Sequence, residues 1–341
     1  MPTELGNLQR LLKRLGNTSQ SISFSMLYGL SDLAGEWLDE FRPAWDALPA
    51  ARRRRLLHSL VELAEISFEV NFDAIFRHCL SDSDEEVRTK AIDGLWESED
   101  ASLIGRFLTM LRADPSGQVR AAAASGLGRY VLAGELERLE SPIQARIMTD
   151  LQTTIHLAGE SVAVRRRAIE SMSYACTSEV LDALELAYYD DDEEMRISAV
   201  LGMGRSCDKR WKNIILGELN SDSPAMRYEA AWACGELGLQ QAVPILAHLI
   251  NDPDRQICNA TIWALGQIGG SQAKEVLMTA YDDADEDTRT AIDDALAEQA
   301  LLDGDIDFPL YEFDGDLDNS SEDSLFWTAD DHRDDEFDRD V

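Results

Sequence analysis

The sequence of 341 residues predicts an all-α fold, a right-handed α-solenoid of stacked helical hairpins, and three observations support this. A segment that opens with acidic residues and continues into an alanine-rich stretch recurs at intervals of 31 residues. The apolar residues of this segment are spaced three and four apart, as on the buried face of a helix. Glycine also recurs at one fixed position. A fixed period of this length is typical of proteins whose units stack on a shared core.

The repeat is clearest between residues 190 and 269, and one position, which we call the marker, identifies each copy. The seven markers are Arg88, Arg120, Arg165, Arg196, Arg227, Cys258 and Arg289. Successive markers are separated by 32, 45, 31, 31, 31 and 31 residues. The one long interval predicts an insertion near residues 133–142, which we expect to protrude from the stack as a longer loop or helix.

Each unit is predicted to contain a helix A, a polar turn and a helix B. The B helices are expected to begin near Glu85, Gly117, Val162, Glu193, Ala225, Arg255 and Asp287. Eight residues after the marker, three successive units carry Gly204, Gly235 and Gly266. Glycine inside a helix costs about 1 kcal/mol relative to alanine. Its recurrence therefore predicts a helix end or a close approach between neighbouring helices.

Acidic residues precede most markers by four to six positions, and this pairing has two interpretations. The acidic residues are Asp84, Asp114, Asp191, Asp222 and Asp285. The arginines could form an anion-binding series along the solenoid. Alternatively, each arginine pairs with an aspartate of its own or the neighbouring turn, while the aspartates cap the B helices. We favour the structural interpretation, because a feature of nearly every unit is typical of what holds units together.

The chain divides into three predicted parts. Residues 1–70 form a divergent N-terminal helical cap, and residues 71–302 form the solenoid of about seven repeats. The cap contains the one basic cluster, four arginines at residues 52–55. This cluster could bind an acidic ligand or the acidic end of the chain. We favour a solvated helix face, which is ordinary for charged residues.

Residues 303–341 are predicted to be a disordered acidic tail, with sixteen acidic and two basic residues. Aromatic residues are scattered through it, as in short segments that fold on a partner. An alternating acidic run there lacks the glycine and the closing glutamate of a calcium loop, so no metal site is predicted. Three roles remain open: a solubilising extension, a ligand for a basic protein, or a lid over Trp232 and Trp263.

Composition narrows the class of partner. The formal net charge of −34 opposes a nucleic-acid partner, because phosphate binding requires lysine and arginine, and it favours a basic protein or peptide. No run of about 18 apolar residues occurs, so no membrane span is predicted. Five cysteines without a CxxC spacing fit a reducing compartment, and we expect a cytoplasmic protein. The oligomeric state stays open.

The repeated segments DEEVRTKAIDGL, DSPAMRYEAAWACGELG and DPDRQICNATIWALGQIG resemble the HEAT repeat, in the short form found in phycobilisome-lyase-like proteins. The resemblance covers residues 71–300 and implies a protein-binding scaffold. A minority of such folds are bilin lyases, DNA glycosylases or di-iron hydroxylases. The His-Glu dipeptides of the hydroxylases do not occur here, nor do GxSxG, P-loop or HExxH motifs. We therefore predict no catalytic, cofactor or metal site.

The first functional hypothesis is thus a non-catalytic protein-protein interaction scaffold or adaptor, and the alternative is a bilin-lyase-like chromophore attachment or assembly factor. The resemblance implies that B helices line the concave side. Positions one and five after the marker are expected to face away from the core. In three successive repeats they form what we call the candidate strip: Ile197, Leu201, Tyr228, Trp232, Asn259 and Trp263. Aromatic anchors of this kind are typical of protein interfaces. Alternatively, the tryptophans fill gaps between adjacent B helices.

Overall fold

The computed structural model describes residues 5–17 and 21–303, and these residues form eighteen α-helices and no β-strand. The helices are α1 (Leu5–Gly16), α2 (Phe24–Leu27), α3 (Glu36–Asp46), α4 (Ala50–Ile66), α5 (Asp73–Cys79), α6 (Glu85–Gly94), α7 (Ser102–Ala113), α8 (Gly117–Glu135), α9 (Ser141–His156), α10 (Val162–Met172), α11 (Ser178–Tyr188), α12 (Glu193–Arg205), α13 (Lys212–Glu218), α14 (Pro224–Glu236), α15 (Val243–Leu249), α16 (Arg255–Ile268), α17 (Gly270–Asp283) and α18 (Glu286–Asp303). Short 3₁₀ turns lie at Tyr28–Leu30, Lys209–Trp211 and Gln240–Ala242. The acidic tail lies outside the described residues, and its disorder stays a prediction.

Seven helical pairs, from α5–α6 to α17–α18, stack in chain order, and this confirms the prediction of an all-α solenoid. Each B helix begins within one residue of its predicted start. Several B helices directly follow an aspartate whose side chain accepts a hydrogen bond from a backbone N–H of the first turn. These capping residues are Asp84, Asp192 and Asp254. An aspartate at this position satisfies a helix donor that has no partner within the helix.

The marker arginines connect consecutive repeats, as the structural interpretation predicted. Arg88 donates from Nε and Nη2 to the carboxylate of Asp114 in the next turn, at 2.8 and 2.7 Å, and from Nη1 to the carbonyl of Asp82 in its own turn. Arg120 repeats this arrangement with Glu160 and with the carbonyl of Asp114. The hydrogen bond from Arg120 holds the pKa of Glu160 below its ordinary value. The arginines are therefore occupied within the stack.

Three units depart from this arrangement. In the last of them, Arg289 donates to the carbonyls of Tyr281 and Asp282 and to no carboxylate among the described residues. Cys258 stands at the marker position, and its Sγ lies 3.0 Å from the carbonyl of Asp252, the position that an arginine Nη1 occupies elsewhere. Among the residues that the structure describes, Arg196 donates to the carbonyls of Asp190 and Asp191 and to no carboxylate, because Ser221 stands where the next unit would supply an aspartate. Each departure removes one carboxylate pair from the series.

Close contact between neighbouring B helices explains the recurring glycines. A Cβ added to Gly204 would lie 2.8 Å from the Cα of Ala233, and one added to Gly266 would lie 3.0 Å from the Cβ of Ala295. The B helices touch their neighbours along much of their length, whereas the A helices touch only sparsely. The more tightly spaced layer of a curved stack is its inner side, so the B helices form the concave face.

The insertion between the second and third repeats lengthens two helices. Helix α8 has 19 residues and α9 has 16, whereas the B helix α14 has 13. The extended ends contact each other, and Gln144 Nε2 donates to Glu135 Oε1 at 2.6 Å. The extra residues therefore continue the helical pair and do not form a separate loop.

The prediction that the basic cluster of α4 forms a solvated helix face is wrong for Arg52 and Arg53. Arg52 and Arg53 are only 2 % and 8 % exposed. Arg53 pairs with Asp82 at 2.8 Å and donates to the carbonyl of Leu48 at 2.6 Å, which is the bonding of a marker arginine. Because α3 also packs on α5 and α4 on α6, this pair of helices continues the stack into the N-terminal region. Asp82 pairs with Arg53, and Asp84 and Glu86 pair with Arg54, whereas Arg52 donates to the carbonyl of Leu15.

Candidate functional site

The candidate strip lies on α12, α14 and α16, three consecutive helices of the inner layer. Four of its residues, Leu201, Tyr228, Trp232 and Trp263, are half-buried, and Asn259 is exposed. Ile197 is only 6 % exposed. The expectation that Ile197 faces away from the core is therefore wrong. Ile197 belongs to the buried apolar core of the solenoid.

The two tryptophans stack against each other across neighbouring repeats. The ring centroids of Trp232 and Trp263 lie 3.8 Å apart with an interplanar angle of 39°. Tyr228 meets Trp232 edge-on at 6.4 Å. A Cβ on Gly235 would lie 2.5 Å from Cζ3 of Trp263, so the absence of a side chain there provides the space for this ring. The tryptophans thus fill the gap between two B helices and also keep part of their surface accessible.

A cavity of about 280 Å³ adjoins the candidate strip. Its lining combines apolar, aromatic and charged side chains: Leu201, Gly204, Arg205, Tyr228, Glu229, Trp232, Ala233 and Glu236. The indole N–H of Trp232 is buried without a hydrogen-bond acceptor among the described residues. A buried polar group left without a partner costs about 1–3 kcal/mol, so this part of the inner face is not optimised for stability alone.

Glu229 is the most perturbed acid of the site. Burial, and then the nearby carboxylate of Glu170, raise the pKa of Glu229 to about 7. Three nearby arginines lower the pKa of Glu229 and so oppose this shift: Arg205, Arg166 and Arg167. None of these arginines forms an ion pair with Glu229, which has no salt-bridge partner among the residues that the structure describes.

A polar network borders the cavity on α10. Glu170 is 6 % exposed, and its carboxylate accepts hydrogen bonds from Ser198 Oγ at 2.6 Å and from Arg167 Nη1 at 2.5 Å. Arg166 donates to the same Ser198 hydroxyl at 2.8 Å. These bonds fix the side chains at the end of the candidate strip, since each one is held by at least one neighbour.

Sequence reasoning did not identify Glu229, although one signal was present. Glu229 stands two residues after its marker, where the other repeats carry Lys90, Ala122, Arg167, Ser198, Ala260 and Ala291. Glu229 is the one acid at this repeat position of the inner layer, and this indicates a local role beyond packing. Among the described residues, no group of three or more histidine, cysteine or acidic side chains is arranged to hold a metal ion. No helix in the described ranges is long and apolar enough to cross a bilayer.

Comparison with known proteins supports the class of the fold. Residues 213–297 match the family of HEAT repeats. The chain therefore contains HEAT repeats, which the family model recognises in this stretch. No curated protein sequence matches the chain.

Among solved structures, the chain is similar to YibA of E. coli, with 14% identity, a TM-score of 0.41, and coverage of 74% of this chain and 97% of that one. It is also similar to importin beta, with 15% identity, a TM-score of 0.43, and coverage of 87% and 44%. Human deoxyhypusine hydroxylase matches with 16% identity, a TM-score of 0.34, and coverage of 78% and 96%. Likenesses this distant carry no information about a shared activity.

Proposed function

We propose that this protein is a non-catalytic, cytoplasmic interaction scaffold that binds a protein or peptide on the inner face of its solenoid, through the accessible residues of the candidate strip. The observation that carries the proposal is the stacked pair of Trp232 and Trp263, 3.8 Å apart and still partly exposed. Large aromatic side chains in a rigid setting are the residues on which protein interfaces most depend.

The helices that carry the candidate strip hold its side chains in place before a partner binds. The tryptophans project from α14 and α16, whose backbones approach closely at Gly235. Arg227, the marker of α14, pairs with Asp252 of the next turn at 3.0 Å. Side chains that are already held in place lose little conformational entropy on association, so more of the contact energy remains as affinity.

Site-specific photo-cross-linking tests the proposal. A benzophenone amino acid replaces the exposed Asn259 in one version of the full-length chain and the exposed Lys274 of the outer helix α17 in a control version. We expect Asn259 to yield protein adducts that Lys274 does not. Those adducts should disappear in Trp232→Ala/Trp263→Ala, because the aromatic anchors are lost.

Two checks complete the experiment. Circular dichroism should show that the double variant keeps its helical content, and Tyr228→Ala, a smaller change at the edge of the strip, should weaken the same adducts. Identical adducts from both positions, or adducts that survive the double substitution, would contradict the proposal. The alternative of bilin attachment stays a prediction; a change in bilin absorbance on mixing would reveal it.

A further inference from the structure

Glu229 is a carboxylate that packing does not require. The corresponding residues of the two adjacent repeats, on α12 and α16, are Ser198 and Ala260, both small, and both helices pack against α14. Placing a charged group in this half-buried position lowers stability unless something neutralises it. The charge must therefore be neutralised by a proton, by a cation of this chain, or by a cation from outside.

Two of the nearby cations are already paired. Arg166 pairs with Glu194, and Arg167 pairs with Glu170 at 2.5 Å. Moving either guanidinium to Glu229 would leave another carboxylate without its partner. The gain at one site would thus be offset by a loss at the other.

The third cation is held by an aromatic ring. The guanidinium carbon of Arg205 lies 4.7 Å from the ring centroid of Tyr174, and Nη1 donates to the carbonyl of Glu170 at 3.2 Å. Arg205 lines the cavity but makes no salt bridge with Glu229. The described part of the chain therefore leaves the carboxylate open to a cation from outside.

The walls of the cavity match one kind of cation. Tyr228 and Trp232 supply aromatic surface, and Glu236, exposed at the rim, supplies a second carboxylate. A guanidinium group is planar, donates two parallel hydrogen bonds to a carboxylate and stacks on aromatic faces. An ammonium group cannot donate two parallel hydrogen bonds to one carboxylate. The volume of about 280 Å³ suits a single long side chain and not a helix.

We propose that this cavity receives an arginine side chain of the bound polypeptide, with the guanidinium paired to Glu229 and lying against Tyr228 and Trp232. The inference rests on the proposed function of the candidate strip and adds the chemical class of the partner, a basic segment. The chain's net charge of −34 complements such a segment.

Occupation of the cavity is coupled to a proton. An arginine binds the ionised form of Glu229, whose pKa of about 7 leaves it mostly protonated at pH 6 and mostly ionised at pH 8. The groups facing Glu229 are Glu170, Arg205, Arg166 and Arg167, with Glu236 on its own helix. We expect the affinity for an arginine-containing segment to rise about tenfold between pH 6 and 8.

Fluorescence polarisation with peptide pools tests this inference. Labelled heptapeptides with randomised uncharged flanks carry a central arginine in one pool and its neutral analogue citrulline in the other. Each pool is titrated with the full-length chain at 150 mM salt, at pH 6 and pH 8. Glu229→Gln keeps the shape of the side chain and removes its charge. Glu275→Gln makes the same change of charge on the outer face of α17.

The arginine pool should bind the chain at least about tenfold more tightly than the citrulline pool at pH 8, as charged hydrogen bonds of this kind do. Glu229→Gln should abolish both the arginine preference and the pH dependence, whereas Glu275→Gln should leave both unchanged. Equal binding of the two pools, an arginine preference that persists in Glu229→Gln, or no binding by either pool would overturn the inference. Each of these results leaves the proposed function to its own cross-linking test at Asn259.

Discussion

The titration of Glu229 in the free protein offers the sharpest test of the structure. The substitution Glu229→Gln removes a half-buried carboxyl group whose pKa is raised from its ordinary value of 4.5 to about 7. A raised pKa means that the folded state retains a proton that the unfolded state has lost. Stability from this group is therefore fully present below about pH 4.5 and declines as the pH rises to about 7.

The size of this loss in the free energy of unfolding follows from the shift in the pKa of Glu229. Each pKa unit corresponds to about 1.4 kcal/mol, so the wild-type chain should lose at most about 3 kcal/mol relative to Glu229→Gln between pH 4.5 and pH 8. Solvent that reaches the cavity reduces this figure, and we expect about 2 kcal/mol between pH 5 and pH 8. Glutamine has no proton to release, so the variant lacks this contribution at every pH.

Urea unfolding followed by circular dichroism measures the effect. The free energy of unfolding is compared between the wild-type chain and Glu229→Gln at pH 5, 6, 7 and 8, and the difference cancels the titration of all other groups. Glu236→Gln, which removes an exposed carboxylate from the same helix, is the matched control. A difference for Glu229→Gln that is constant with pH would refute the reasoning, because the carboxylate would then be ordinarily solvated or already paired.

Three further predictions concern the stack. Gly204→Ala should lower the free energy of unfolding by about 1–3 kcal/mol, because the added Cβ would meet backbone at 2.8 Å, whereas Gly105→Ala, with open space, should raise it by about 0.5–1 kcal/mol. Arg88→Met should lower the free energy of unfolding by about 3–5 kcal/mol, because it leaves the largely buried carboxylate of Asp114 without its partner. An unchanged free energy of unfolding in urea would contradict the role of the marker arginines in connecting the repeats. Cys258→Arg restores a marker arginine and should raise the midpoint of thermal unfolding. The gain in the free energy of unfolding should be about 1 kcal/mol or less, because the expected partner, Asp283, is exposed. An unchanged or lower midpoint would show that this unit has adapted to cysteine.

The architecture was predictable because the information for it is local. The interval of 31 residues and the aspartate caps predicted the B helices to within one residue. The pairing of Arg88 with the next turn was predictable because most units repeat an arginine and an acid at these positions. Arg53 was missed because its spacing to Arg88, 88 − 53 = 35 residues, departs from the period of 31.

The sequence by itself thus determined the helices and their order, because helix periodicity and capping depend on residues within a few positions of each other. The polar connections between units were predictable from the recurrence of an arginine and an acid in most repeats. The candidate strip required the tertiary structure. Ile197 and Asn259 occupy equivalent positions, yet one is buried and the other exposed. The exposure of each side chain, and the unpaired carboxylate of Glu229, depend on which residues the adjacent repeats bring against it. Those residues lie about 30 positions away along the chain and are brought into contact only by the stacking of the helices.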